Sequence, residues 1–318
     1  MSSSTAIEVA GVSRSFGEVH AVRHADFAAE AGRVTALIGP NGSGKTTLML
    51  MLATLLRPDQ GTIRIAGHDP VTDARAVRKV MGWMPDVLGS WASVTVRGAL
   101  ETTGRLYELS GAEARARAAE LIDLVGLQAL AEQPTRVLSR GQKQKLSLAR
   151  ALVHRPTVLL LDEPASGLDP AARVDLRLLV RRLADEGVAV LVSSHVLAEL
   201  DEMADDAVYL EHGATASAER VERSRTAARQ WRVRSTDSAA LLRAIDAEGI
   251  PSAGTDHLGA LVTVAGDDEA AAVLTRLVRA GVPVTSYGPA VGDLEHTFLD
   301  LSRGDADRVT ASDEEVPS

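Results

Sequence analysis

The sequence predicts an α/β fold built on a mostly parallel sheet. Two apolar runs, Val34–Ile38 and Val158–Leu161, read as buried strands. Helical text follows each of them, and strands alternating with helices imply parallel pairing. A glycine-rich turn, GPNGSGKT at 39–46, joins the first run to its helix. In chain order, Ile7–Val12 alternates apolar and polar residues as a half-buried strand does, and Gly17 marks the turn after it. The helix after the glycine-rich turn is expected over Thr46–Leu56. Pro58 and Gly61 then mark a turn before a strand at Thr62–Ile65. From Asp73 to Leu152 the text is dominated by Ala, Leu, Arg and Glu and reads as helical. A helix over about Ala171–Glu186 and a strand at Val188–Ser193 complete the pattern.

The composition shifts over Glu211–Arg234, which is polar, Arg-rich and poor in apolar anchors. This stretch reads as a partly helical connector. Beyond it a small β-α-β-α-β unit is expected, with strands at Trp231–Val233, Leu261–Val264 and Val282–Tyr287 and helices at Ser238–Glu248 and Asp268–Ala280. The expected organisation is a main domain over 5–215 with a helical subdomain at about 73–152, a connector over 216–230, a small β/α domain over 231–302 and a tail over 303–318. The tail is acidic and lacks an apolar pattern, so disorder is expected there.

The chain has 318 residues, enough for two or three domains at roughly 100–200 residues each. With 43 acidic and 34 basic residues the formal net charge is −9, which disfavours binding to a phosphate backbone. No nucleic-acid partner is expected. The absence of cysteine excludes disulfides, Cys-ligated metals and a Cys nucleophile. The longest apolar run, Leu48–Leu56, is far too short to span a bilayer. The start, MSSSTAIEVAG, lacks a basic end and an apolar stretch, so a secretory signal is not expected.

GPNGSGKT fits G-x-x-x-x-G-K-[ST], a loop whose backbone N–H groups curl around phosphate oxygens at a helix N-terminus. Its residues Gly39, Pro40, Asn41, Gly42, Ser43, Gly44, Lys45, Thr46 and Thr47 are candidates for holding a nucleotide. Lys45 is placed to reach the β- and γ-phosphates and Thr46 to bind Mg²⁺. The second motif, VLLLDEP at 158–164, is an apolar strand ending in two carboxylates. Alone, such a pair is more often a helix cap or a solvated turn. Downstream of a phosphate loop, Asp162 suits the Mg²⁺ shell and Glu163 suits a general base acting on water.

A third motif, VLSRGQKQKLSLARAL at 137–152, lies between the other two in the chain. With it the chain resembles the nucleotide-binding subunit of ABC transporters over about residues 5–215. The motif is similar to the ABC signature, usually LSGGQ. Ser139, Gly141 and Gln142 match, and Arg140 replaces a glycine, which stiffens the loop. The resemblance implies a P-loop ATPase core, made of a mostly parallel sheet, an antiparallel β-subdomain and a helical subdomain, with the small C-terminal α+β module appended. It implies that the signature closes on ATP held by the opposite subunit. It assigns SGLDP at 166–170 to the dimer-crossing loop, with Asp169 its acidic member, and His195 to the switch histidine at the γ-phosphate. Phe16 lies where the family stacks an aromatic on adenine, although packing is the default use of an aromatic. Where the family has a glutamine after a strand, this chain has Asp86 in MGWMPDVLGS. A carboxylate there can approach Mg²⁺ or its water, but a Pro-Asp turn without a catalytic part reads nearly as well. The histidines outside the motifs, among them His20 and His154, are assigned no chemistry.

The resemblance implies an ATP- and Mg²⁺-dependent ATPase on the cytoplasmic face of the cell membrane. One copy of each motif implies a head-to-tail homodimer in the ATP-bound state, with two composite sites. The expected work is export of a drug, antibiotic or lipid-like molecule through a separate integral permease, of ABC-2 type. The C-terminal module and LEHTFLDL at 294–301 resemble the daunorubicin-resistance ATPases. The alternative is a soluble ABC-type ATPase acting on ribosomes or nucleic acid. It is disfavoured by the single cassette, the lack of heptads and the acidic balance. The C-terminal module reads as dimerisation scaffold more readily than as a ligand-sensing regulator.

Overall fold

The computed structural model describes residues 5–87, 89 and 92–302. The expected tail at 303–318 lies outside the described residues. The chain divides into two compact units, Met1–Ala216 and Ser217–Ser318.

The first unit opens with two long antiparallel strands, β1 (Thr5–Phe16) and β2 (Val19–Glu30), turned at Gly17. β3 (Val34–Ile38) is buried throughout and leads into α1 (Lys45–Leu52). This helix ends before the predicted Leu56 because Thr54 takes a left-handed φ of +64°. Next come β4 (Gln60–Ile65), α2 (Ala74–Val80) and β5 (Met81–Met84). The helical stretch contains α3 (Val96–Leu106), α4 (Gly111–Leu124) and α5 (Arg140–Ala151). Each starts where the sequence supplies a cap: Thr95 accepts from Gly98 N–H, and Ser110 and Ser139 form capping boxes with Glu113 and Gln142. β6 (Val158–Asp162), α6 (Pro170–Asp185), β7 (Ala189–Ser193), α7 (Leu197–Asp201), β8 (Asp206–Glu211) and β9 (Ala214–Thr215) follow.

These strands make one nine-stranded sheet in the order β4-β1-β2-β9-β8-β3-β7-β6-β5. From β8 to β5 every neighbouring pair is parallel, whereas β4, β1 and β2 pair antiparallel. The central strands β3, β6 and β7 are buried at every residue, as strands covered on both faces must be. Ile7, Leu37, Leu48, Met49, Ile65, Leu160 and Leu191 join in one core cluster. Burying each such side chain contributes about 1.5–3 kcal/mol. The order β3-β7-β6-β5 determines where a site can form. Parallel neighbours present their C-terminal ends on one edge, where open α/β sheets build their sites.

The second unit departs from the expected β-α-β-α-β pattern. The connector at 216–230, expected to be partly helical, holds α8 (Ala218–Thr226), capped by Ser217, and the first two residues of β10 (Arg229–Ser235). α9 (Ser238–Ala247) precedes a strand that the sequence hid, β11 (Ser252–Asp256). Its residues SAGTD are polar, short and mostly exposed, the character of an edge strand without an apolar alternation. β12 (Gly259–Val264), α10 (Asp267–Arg279) and β13 (Val284–Pro289) follow, and residues 293–302 are helical. The sheet order is β11-β12-β10-β13 with all pairs antiparallel, a β-α-β-β-α-β arrangement. Ala260, Val262 and Val264 alternate inward onto Leu241, Ile245, Val273 and Leu277, so this unit has its own core.

Candidate functional site

At the C-terminal ends of β3, β7, β6 and β5 lies a cleft of about 450 Å³. The chain's phosphate-loop sequence follows β3, Asp162 ends β6, Glu163 follows it, His195 follows β7 and Asp86 follows β5. The cleft is lined by Asn41, Gly42, Gly44, Lys45, Thr46 and Thr47 from the loop, and by Asp86, Asp162, Glu163 and His195. Residues spread over more than 150 positions meet because their strands are neighbours.

The loop requires glycine at both ends. A Cβ on Gly44 would sit 2.3 Å from the Ala21 carbonyl oxygen, and Gly44 has φ +105°. A Cβ on Gly39 would sit 2.2 Å from the Leu210 carbonyl oxygen. Gly44 caps α1 without any side-chain hydrogen bond, so the first N–H groups of that helix keep their donors for a ligand. Among the described residues Ser43 Oγ is buried without a hydrogen-bond partner, a further donor beneath the loop. Lys45 Nζ donates to the carbonyl oxygens of Gly39 at 2.6 Å and Pro40 at 3.1 Å. Burial lowers the Lys45 pKa, and the charges of Glu163 and Asp162 oppose that shift. A half-buried cation whose donors rest on its own loop is suited to transfer them to phosphate oxygens.

Asp162 is 4% exposed and its Oδ1 accepts from Ser193 Oγ at 2.5 Å. Burial raises its pKa, and the nearby Asp86 charge raises it further, against the Ser193 hydrogen bond and Lys45. Carboxylates that crowd each other in this way fit a divalent cation, whose charge relieves both burial and repulsion. Thr46 lines the same cleft with a hydroxyl. Among the described residues no three His, Asp or Glu side chains form a metal cluster by themselves. A cation here would need Thr46, Asp162 and the oxygens of a bound phosphate together, with Asp86 near.

Glu163 has a left-handed φ of +50°. Its N–H donates to the Ser193 carbonyl at 3.1 Å, and its own carbonyl accepts from Ser166 N–H at 3.1 Å and from Gln144 Nε2 at 2.8 Å. Glu163 Oε2 lies 2.7 Å from His195 Nδ1. The Glu163 side chain is mostly covered, while His195 is 64% exposed. The pair joins an anchored carboxylate to an imidazole facing solvent.

Several predicted residues lie away from the cleft. Gly39, Pro40 and Ser43 shape the loop without lining it. Phe16 ends β1, paired with Val19, which does line the cleft. Its ring is 48% exposed and has the Arg14 guanidinium 4.9 Å from its centroid. Ser139, Gly141 and Gln142 sit at the start of α5, and Asp169 caps α6 by accepting from Ala172 N–H at 2.9 Å. A single chain therefore does not bring these four residues to the phosphate loop. Three residues with no assigned chemistry do belong to the setting. His20 lines the cleft and shares a 2.8 Å hydrogen bond with Ser15 Oγ. Ser193 holds both Asp162 and the Glu163 N–H. Arg140 also lines the cleft, donating to Ser166 Oγ at 2.6 Å. The run SSH at 193–195 was the available signal for Ser193, a small hydroxyl residue at a strand end beside a carboxylate strand.

Residues 22–166 match the family described as ABC transporter. The chain is 41% identical over 212 residues to the daunorubicin/doxorubicin resistance ATP-binding protein DrrA of Streptomyces peucetius, covering 65% of this chain and 63% of that one. It thus spans less than two thirds of that relative. It is 37% identical over 208 residues to the Nod factor export ATP-binding protein I of Paraburkholderia xenovorans, covering 65% of this chain and 68% of the relative. A solved ATP-binding subunit of an ABC transporter superposes with a TM-score of 0.63 at 27% identity, covering 68% of this chain and 92% of that structure. With these motifs on adjacent strand ends and relatives of this kind, the chain belongs to the family of ABC transporter ATP-binding proteins.

Proposed function

We propose that the chain binds MgATP and hydrolyses it as the energising subunit of an exporter of small molecules, of drug, antibiotic or lipid-like class. The observation that carries this reading is the meeting of Lys45, Thr46, Asp162, Glu163 and His195 in one cleft. The names of the relatives, which concern daunorubicin resistance and Nod factor export, support the direction of transport.

In this reading the α1 N-terminus and Lys45 hold the phosphates, and Thr46 and Asp162 hold Mg²⁺. The Mg²⁺ ion, when bound, would neutralise charge on the β- and γ-phosphate oxygens. Glu163 takes a proton from the attacking water, and His195, tied to Glu163 Oε2, steers that carboxylate and faces the γ-phosphate. Phe16 supplies the open face of its ring to adenine. Ser139, Gly141 and Gln142 of a second copy complete the site, which gives the homodimer its reason to form on ATP. Arg140 alone of this stretch lines the cleft of its own chain, and the absence of Ser139, Gly141 and Gln142 from that lining supports the division of labour.

The same reading gives the permease a seat. A cleft of about 620 Å³ runs between Leu55, Trp83, Val87, Leu106 and Tyr107. Leu55, Val87 and Leu106 are 62%, 82% and 71% exposed, an apolar rim suited to a helix from a membrane partner. Among the described residues no helix is long and apolar enough to cross a membrane. In this reading the chain attaches peripherally to an ABC-2 permease at the cytoplasmic face.

The test separates chemistry from binding. Glu163→Gln should lower ATP turnover by about 10²–10⁴-fold while ATP still binds and a dimer accumulates. Lys45→Ala should weaken nucleotide binding itself. Unchanged turnover in Glu163→Gln removes Glu163 as the base.

A further inference from the structure

We infer that Gln144 is a positioning residue that ties the signature helix of a chain to the glutamate in that chain's own cleft. The inference rests on the ATPase reading above and adds a route of communication between the two composite sites. Gln144 lies in α5, five residues past Ser139, and is 2% exposed. Its Nε2 donates to the Glu163 carbonyl oxygen at 2.8 Å. The link therefore reaches the backbone of the proposed base and leaves its carboxylate to His195.

That backbone needs holding. Glu163 adopts φ +50°, a region a non-glycine residue occupies only when its surroundings impose it. The imposition comes from two sides. β7 takes the N–H through Ser193, and the carbonyl is held by Gln144 and by the turn closed from Ser166. The Ser193 contact belongs to the sheet and stays with it. The Gln144 contact belongs to the helix whose first residues are the signature. Any shift of α5 when Ser139 and Gly141 engage a nucleotide on a second copy acts on the Glu163 carbonyl directly through the Gln144 hydrogen bond, and on the turn beside it through Arg140, which donates to Ser166 Oγ. Rotation of that peptide re-aims the Glu163 side chain and its partner His195. Each chain thus sets its own base according to what its signature holds on the opposite nucleotide.

A polar amide at a 2% exposed site has a cost unless its hydrogen bonds matter. An apolar side chain of the same length would pack there without that cost. Here the donor is matched by the Glu163 carbonyl.

The experiment compares Gln144→Met with Leu148→Ala in the full-length chain. Leu148 is a 4% exposed neighbour on the same helix, and its truncation loosens packing while leaving the donor in place. Leu148→Ala should melt at lower temperature than the parent, and Gln144→Met close to it. Gln144→Met should lose about ten- to a hundredfold in kcat, the scale of one misplaced hydrogen-bonded group, with KM for MgATP unchanged and any cooperativity in ATP lost. Leu148→Ala should keep kcat and cooperativity. The inference is overturned by Gln144→Met within twofold of the parent in kcat, by equal losses in kcat and ATP affinity, or by the same kcat loss in Leu148→Ala. Glu163→Gln is run alongside. If that variant turns over ATP normally, the assignment of the base fails, whereas a Gln144 result alone bears only on the link.

Discussion

Asp86 carries the sharpest question at the scale of a residue. The family resemblance puts an uncharged amide where this chain has a carboxylate. Burial pushes the Asp162 pKa up, and the Asp86 charge adds to that push. On the proposed reading Asp162 holds Mg²⁺, and only when ionised, so metal binding should weaken as pH falls through that raised pKa. Asp86→Gln removes a like charge and lets the Asp162 pKa fall. The pH below which Mg²⁺ affinity declines should move down, as read by titrating Mg²⁺ against bound-nucleotide fluorescence across pH. A decline at unchanged pH means that the Asp86 charge does not govern the site. The motif residues of this cleft were legible in the sequence because phosphate chemistry demands fixed residue types at fixed spacing. Ser193 and Gln144 were not. They act on backbone groups and on a neighbour's oxygen, and any strand-end hydroxyl or buried amide looks alike until the fold sets its partner.

At the scale of an element, α5 gives one side chain a capping duty and, on the proposed reading, a second duty at phosphate. Ser139 Oγ accepts from Gln142 N–H at 3.2 Å, which caps the helix. A hydroxyl that accepts in this way still has its own O–H to donate, so capping and phosphate binding are compatible. The two duties separate by substitution. Ser139→Ala should cost about 1 kcal/mol of stability through the lost cap. Ser139→Asp should keep the cap and the melting temperature, yet oppose ATP-dependent dimerisation, because a carboxylate meets the phosphate where a hydroxyl stood. Light scattering with ATP in a Glu163→Gln background reads the outcome. A Ser139→Asp chain that still dimerises on ATP removes Ser139 from the phosphate contacts. Elements were readable where an apolar run announced them, as at Val34–Ile38 and Val158–Leu161, whereas the cap at Ser110 that helps divide the helical stretch over 73–152 emerges with the structure. β11 was missed because SAGTD carries no alternation. Its place comes from pairing with β12 and from the turn in which Asp256 Oδ1 accepts from Leu258 and Gly259 N–H.

At the scale of the whole molecule the question is what the second unit is for. Each unit has its own core, Leu37, Leu48 and Leu160 among the residues of the first and Val233, Leu241 and Val262 among those of the second. A unit with its own core is built to fold alone. The phosphate loop, Asp86, Asp162, Glu163 and His195 all fall before the boundary after Ala216. A chain ending at Ala216 should therefore stay folded and bind ATP with the affinity of the full chain. If the second unit is dimerisation scaffold, the shortened chain should need higher protein concentration to reach half-maximal turnover, and its specific activity at saturation should match the parent. Turnover per site measured against protein concentration, for both chains, separates the possibilities. Identical curves show that the second unit adds nothing to assembly and point to the regulatory reading. A lower plateau at saturating concentration shows that it acts on the chemistry of the site as well as on the meeting of two copies.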